Sequence, residues 1–376
     1  MDGRSSLDSA LPHPNVRELT PAEVDRQAHA HPDTVLLDVR DEREWEAGHI
    51  PGAVLLPRAT LERSIGALVP DRGRPIVAYC AIGIQSLAAA RTLAALGYTD
   101  VASMSGGYLA WLETRAGSNG EAGLRDDQVA RYSRHLLLPE IGPDGQRRLL
   151  ASKVLIVGAG GLGSAAAPYL AAAGIGTIGV ADFDTVELSN LQRQVIHRTD
   201  RVGQPKTRSA RDTILALNPD VNVVLHEMRL DASNVAGTIA GYDVIVDGTD
   251  NFDTRYVLND AAVAAGLPVV HASVFRFEGQ LTVFQPGRGP CYRCLHPVPP
   301  PSELAADCSV AGVLGVVPGV MGVLQALETI KLLVGIGEPL VGRLLVFDAL
   351  DSSFEEIRLP RNPACPTCGE AAARRG

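Results

Sequence analysis

Four cysteines fall into two pairs, Cys291-x-x-Cys294 and Cys365-x-x-Cys368. Each pair is a short chelating arm, and four thiolates suit a tetrahedral zinc ion in a closed, structural shell. Two redox-active dithiols or an iron–sulfur centre would use the same residues. A glycine turn, Gly158-Ala159-Gly160-Gly161-Leu162-Gly163, follows an apolar run and opens a helical pattern. In that context glycines let the backbone approach a phosphate, and the helix end favours the anion. Asp182, at the end of the next apolar run, has the spacing of an acid that binds ribose hydroxyls. On these residues alone ATP and NAD fit equally well. Cys80 closes another apolar run, just ahead of a helical pattern that begins at Ser86. The N–H groups of a tight loop there would stabilise a thiolate or persulfide, with Gly83 taking a backbone conformation closed to other residues. The plain alternative is a buried structural cysteine. Cys308 belongs to neither pair.

The elements that must hold these residues are legible as runs and periods. Residues 34–39 and 75–80 read as buried strands, 86–98 as a helix ending at Gly97, and 101–104 as the next strand. This is a small α/β domain over residues 16–117, after a tail at 1–15. Residues 115–123, Arg-Ala-Gly-Ser-Asn-Gly-Glu-Ala-Gly, have the composition of a flexible linker, and the boundary is placed at 118–124. The second domain, 125–376, opens with a helix expected over 126–138. Strands are expected at 153–157, 177–184, 242–250, 267–274, 280–286 and 343–349, and a long helix around 321–334. Nearly continuous apolar character marks 242–250 and 267–274 as parallel strands covered on both faces. The order of elements suggests a doubly wound, Rossmann-like α/β sheet.

Composition narrows the classes further. The 376 residues carry 34 Lys and Arg against 43 Asp and Glu, a net charge of −9, which excludes an electrostatic nucleic-acid binder. The N-terminus lacks the apolar core of a secretory signal. The uncharged stretch Cys308–Leu327 approaches the length of a membrane span, but its glycines, Pro318 and Gln325 favour a buried loop followed by a core helix. No membrane association is expected. Six cysteines, four of them paired at short spacing, argue against a secreted disulfide framework, so the cytoplasm is the expected compartment.

Two family resemblances give these residues roles. Asp38-Val39-Arg40, Glu44, Trp45, the run Gly48 to Ala53, and Tyr79-Cys80 followed by Gly83 and Ser86 resemble the rhodanese family of sulfurtransferases over residues 16–117. The resemblance implies that Cys80 carries sulfane sulfur as a persulfide. Members of that family often have arginines in the active loop, where Ala81 and Gln85 stand here. This departure counts against thiosulfate as donor and leaves a protein-delivered persulfide, for example from a cysteine desulfurase.

The second domain resembles the MoeB/ThiF family of ubiquitin-activating-enzyme-like adenylyltransferases. The resemblance rests on residues 181–197, Val202 to Lys206, Asp247 to Asn251 and the cysteine pairs. It implies that ATP and magnesium adenylate the C-terminal glycine of a ubiquitin-like sulfur carrier ending in Gly-Gly. Lys206 and Arg193 would contact the triphosphate and Asp250 would position magnesium. Asp182 would hold the ribose, and Ser189, Asn190, Leu191, Gln192 and Asn251 would line the nucleotide. Arg134 resembles an arginine supplied by the neighbouring subunit, implying a homodimer, and the cysteine pairs would hold zinc. Cys308 matches a cysteine that forms an acyl link to the carrier in some relatives and is dispensable in others. Taken together, the domains would convert a carrier carboxylate into a thiocarboxylate, as used in making molybdopterin, thiamine or thiolated tRNA. In better-known fusions the rhodanese domain follows the activating domain; here it precedes it. Two rivals remain at this level: an NAD-dependent oxidoreductase fused to a sulfur-binding module, and a non-catalytic scaffold for a sulfur carrier.

Overall fold

A computed structural model describes residues 16–116, 124–299 and 312–369. The chain divides into two compact units, 1–147 and 148–376. Helix Asp126–Leu136 packs on helix Gly107–Ala116 and is therefore grouped with the first unit.

The first unit is built on a five-stranded parallel sheet of β1 (Arg17–Leu19), β2 (Val35–Asp38), β3 (Val54–Leu55), β4 (Ile76–Tyr79) and β5 (Val101–Met104), in the order β1-β5-β4-β2-β3. The central strand β4 is wholly buried, as its unbroken apolar run requires. Helix Ile84–Ala95 follows it and begins two residues before the expected Ser86. The reason is Gly83, whose φ of +91° makes it the N-cap, so no side-chain cap is needed.

The second unit holds an eight-stranded sheet. Its strands are β6 (Lys153–Val157), β7 (Thr177–Ala181), β8 (Asn222–His226), β9 (Val244–Asp247), β10 (Val269–Phe275), β11 (Glu278–Phe284), β12 (Arg343–Asp348) and β13 (Ser353–Arg358). The order is β13-β12-β11-β10-β9-β6-β7-β8. From β8 to β10 the strands are parallel, with chain order reversing between β6 and β9. That reversal is the switch point at which open α/β sheets bind ligands. Beyond β10 the sheet turns antiparallel. A tight turn through Arg276, at φ +53°, joins β10 to β11, and so short a connection can only pair strands antiparallel. The doubly wound sheet expected from sequence thus carries an antiparallel extension.

Helix Val316–Val334 has the length and apolarity of a membrane span. It is nevertheless a core helix against β10, β11 and helix Gly161–Ala173. Gln325 on it is fully buried and donates from Nε2 to the carbonyls of Asp247 (2.7 Å) and Val270 (2.9 Å). Gly322 lies so close that an added Cβ would stand 2.3 Å from the Leu162 carbonyl oxygen.

Candidate functional sites

The glycine turn occupies the carboxyl end of β6. Gly158, at φ +92°, presses against the neighbouring β9 loop, where a Cβ would come within 2.8 Å of the Gly248 carbonyl oxygen. Gly163 is needed for a different reason. A Cβ there would meet the Gly158 carbonyl oxygen at 2.0 Å, so its absence permits helix Gly161–Ala173 to start directly on the turn. The result is a cavity of about 520 Å³ at the switch point. Gly158, Gly160, Gly161, Asp182, Asn190, Arg193, Lys206, Asp250 and Asn251 all line it.

The other expected nucleotide residues lie elsewhere. Ser189, Leu191 and Gln192 are not among its walls. Ser189 instead accepts a bond from Arg193 Nη1 at its carbonyl (3.2 Å), and Gln192 abuts Gly315. Arg134 is exposed on helix Asp126–Leu136 in the first unit. Cys308 lies outside the described residues.

Within the cavity the charged groups are held in different ways. Asp182 accepts from the backbone N–H of Ala159 and of Asp184, both at 2.8 Å, which ties the acid to the turn. Burial pushes its carboxyl above the usual range, opposed by the charge of Lys206. Lys206 is buried and reaches Asp184 at 2.8 Å. Asp250 lines the cavity, is exposed and makes no hydrogen bond or ion pair among the described residues, so its carboxylate is uncommitted. Such a carboxylate can take a hard cation.

Several walls escaped the sequence reading: Gln194, Arg255, Gln280 and His296. Behind the turn, the buried His197 donates from Nε2 to the Ala159 carbonyl (3.0 Å) and accepts at Nδ1 from the Ser209 hydroxyl (2.9 Å). Burial lowers it to about 4, so the ring is neutral and holds that one tautomer near pH 7. A lone histidine offers no spacing signal that could have marked it. Below β9, His271 Nδ1 donates to Asp247 (2.7 Å), whose other oxygen accepts from Thr249 N–H and hydroxyl. Although burial opposes it, the His271 bond holds the Asp247 carboxyl low.

Cys80 in the first unit is 2% exposed, and the Gly83 N–H donates to its Sγ at 3.2 Å. Gly107 is obligatory beside it, since a Cβ would meet the Cys80 carbonyl oxygen at 2.2 Å. Residues 80–86 carry no charge, and Ile82 and Ile84 on this loop are exposed. Arg40, the nearby buried cation, is held by Asp38 (2.7 Å) and the Gly48 carbonyl (2.8 Å). The Gly83 N–H is a backbone donor placed to stabilise a sulfur anion here.

The sulfur atoms of Cys291, Cys294, Cys365 and Cys368 all lie within 4.8 Å of one another. Cys291 and Cys365 are 3.6 Å apart, and Cys294 and Cys368 are 3.4 Å apart. Tetrahedral zinc thiolates place sulfurs roughly 3.8 Å apart, so the four fit one metal ion. The metal would tie the C-terminal segment to the body of the unit.

The ThiF family model matches residues 132–367, and the rhodanese-like domain model matches residues 20–114. The chain belongs to the ThiF family. Among the relatives of this ThiF-family chain is the SAMP-activating enzyme E1 of Haloferax volcanii, 54% identical over 65% of the chain and 90% of that protein. Probable adenylyltransferase/sulfurtransferase MoeZ of Mycobacterium tuberculosis is 52% identical, over 66% of this chain and 64% of its own. The sulfur carrier protein adenylyltransferase of Thermus thermophilus is 47% identical, over 66% and 94%. A crystal structure of E. coli MccB with ATP superposes with a TM-score of 0.58 at 28% identity, covering 64% of this chain and 74% of that one.

Proposed function

We propose that this adenylyltransferase and sulfurtransferase activates the C-terminal glycine of a ubiquitin-like sulfur carrier with ATP and then replaces the activated oxygen with sulfur from Cys80. The observation that carries the reading is the cavity at the switch point, whose lining gathers Arg193, Lys206 and Arg255 with Asp182, Asp250, Asn251 and the glycine turn. Attack of a carboxylate on a triphosphate brings two anions together, and such a step needs fixed positive charge. In this reading a terminal carboxylate oxygen attacks the α-phosphorus, and pyrophosphate leaves. Arg193 and Lys206 hold the phosphates, Asp182 the ribose. Asp250 would hold magnesium, which when bound supplies further positive charge to the phosphates.

The second half-reaction uses the other domain, with the junction at 118–124. A Cys80 persulfide attacks the acyl carbon and AMP leaves, forming an acyl disulfide. A thiol reductant then cleaves the S–S bond, freeing the thiocarboxylate and leaving the reductant disulfide-linked to Cys80. The uncharged loop supports a protein persulfide, such as that of a cysteine desulfurase, as the donor. Zinc at the four cysteines, a homodimer completed by Arg134, and a cytoplasmic setting in which the thiols stay reduced complete the proposal. Carrier-dependent exchange of labelled pyrophosphate into ATP tests it. Exchange that requires a carrier ending in Gly-Gly is expected; no exchange with any such carrier would refute the adenylation step.

A further inference from the structure

The four-cysteine cluster and the nucleotide cavity are joined through neighbouring residues, although their sequence motifs are far apart. Cys291 caps the short helix Tyr292–Leu295, and His296, two residues after Cys294, lines the cavity. Tyr292 stands between the two sites. Its ring meets Tyr256 at 5.2 Å, His271 at 5.1 Å and His296 at 5.0 Å. Its hydroxyl is buried and has no hydrogen-bond partner among the described residues.

Helix Phe252–Ala265 spans both sites. Its N-cap Asn251 and its first-turn residues Phe252 and Arg255 line the cavity. Further along, Asn259 Oδ1 accepts from Tyr292 N–H (2.8 Å), and Asp260 takes two bonds from Arg293 at 2.8 Å and one from Thr367 at 3.1 Å. Thr367 lies between Cys365 and Cys368, so both chelating arms are fastened to this one helix. The Tyr256 hydroxyl also donates to the His296 carbonyl at 2.9 Å.

We propose that the metal clip is a working wall of the adenylation cavity: bound metal holds Tyr292 and His296 against helix Phe252–Ala265, and nucleotide and metal therefore strengthen each other's binding. The proposal rests on the adenylation reading above. Hydrogen bonds to this helix already hold each arm, and a bound metal would add a direct link between the two cysteine pairs, whose binding free energy is added to that of folding. Without that link, Tyr292 and His296 are held against the helix only by the Asn259 and Tyr256 bonds. Any such coupling is reciprocal, so it has the same size whichever ligand is added first.

The test uses the full chain. Zinc affinity is measured by equilibrium competition with a zinc-selective chelator, with and without a saturating non-hydrolysable ATP analogue. The analogue's affinity is measured by calorimetry on zinc-loaded and zinc-depleted protein. Both ratios are expected to agree at about fivefold or more. His296→Ala, with its zinc content confirmed by metal analysis, is expected to weaken nucleotide binding and reduce both ratios. Asp260→Asn, which loosens both arms, is expected to do the same. Ratios of one in protein that binds the analogue would overturn the proposal and leave the adenylation reading intact. Failure of zinc-loaded protein to bind the analogue at all would overturn both.

Discussion

The glycine-turn cavity and the Cys80 loop are built on the same plan, a buried parallel strand running through a glycine into a helix, yet they treat charge in opposite ways. Around Gly158 the backbone is supplemented by Arg193, Lys206 and Arg255, with acids to balance them. Around Cys80 the loop is uncharged and its neighbouring cation, Arg40, is buried against Asp38. In the proposed reading the difference follows from the guest. A triphosphate meeting a carboxylate concentrates several negative charges and needs side-chain cations, whereas one sulfur anion needs only directed N–H groups. Strand–turn–helix geometry supplies the anion-binding backbone, and the side chains set how much charge it can take.

Removing charge from the cavity should produce the largest effect. Asp250→Ala is expected to lower carrier-dependent pyrophosphate exchange by about a hundredfold or more while the protein remains folded. Exchange at the normal rate would remove Asp250 from the mechanism and blur the contrast between the sites. Adding charge to the loop sharpens it from the other side. Gln85→Arg is expected to raise sulfur transfer from thiosulfate to cyanide by about tenfold, because the dianion gains a charge-assisted contact. Efficient use of thiosulfate by the unmodified protein would contradict the reading of the loop.

A smaller effect tests how the turn itself is braced. His197 is lowered by burial to about 4 from 6.5, so between those values the unfolded chain takes up a proton that the folded one does not. Stability should accordingly fall as pH drops from about 6.5 towards 4, by up to about 3 kcal/mol from this group. Urea unfolding of His197→Asn at pH 7 and pH 4.5 should show a shallower decline than the unmodified protein. An unchanged slope would show that the ring does not carry this cost.

What could be read from sequence was what the backbone writes directly into residue type. Gly158 and Gly163 are demanded by close approaches of the chain, the cysteine pairs by ligand geometry, and β4 and β6 by unbroken apolar runs. The edge strand β8, half-buried and bounded by polar residues, offered no such run, and β13 is exposed throughout. The turn between β10 and β11 places Arg276, not glycine or asparagine, at positive φ, so the change to antiparallel pairing carried no local signal. Gln194 and His197 became neighbours of the glycine turn, and Arg255 and His296 walls of its cavity, only through packing of distant segments. Ser189, Leu191 and Gln192 sit next in sequence to residues of the cavity but are not among its lining, a distinction spacing alone does not draw.

Both sites have a joint purpose only if an oxygen at a carrier's C-terminus is exchanged for sulfur. Incubating the protein with ATP, magnesium, a thiol reductant, a persulfide donor and a carrier ending in Gly-Gly, then weighing the carrier by mass spectrometry, tests this most directly. The expected result is a gain equal to the difference between sulfur and oxygen, dependent on ATP and lost in Cys80→Ala. A carrier whose mass stays the same although ATP is turned over to AMP and pyrophosphate would contradict it.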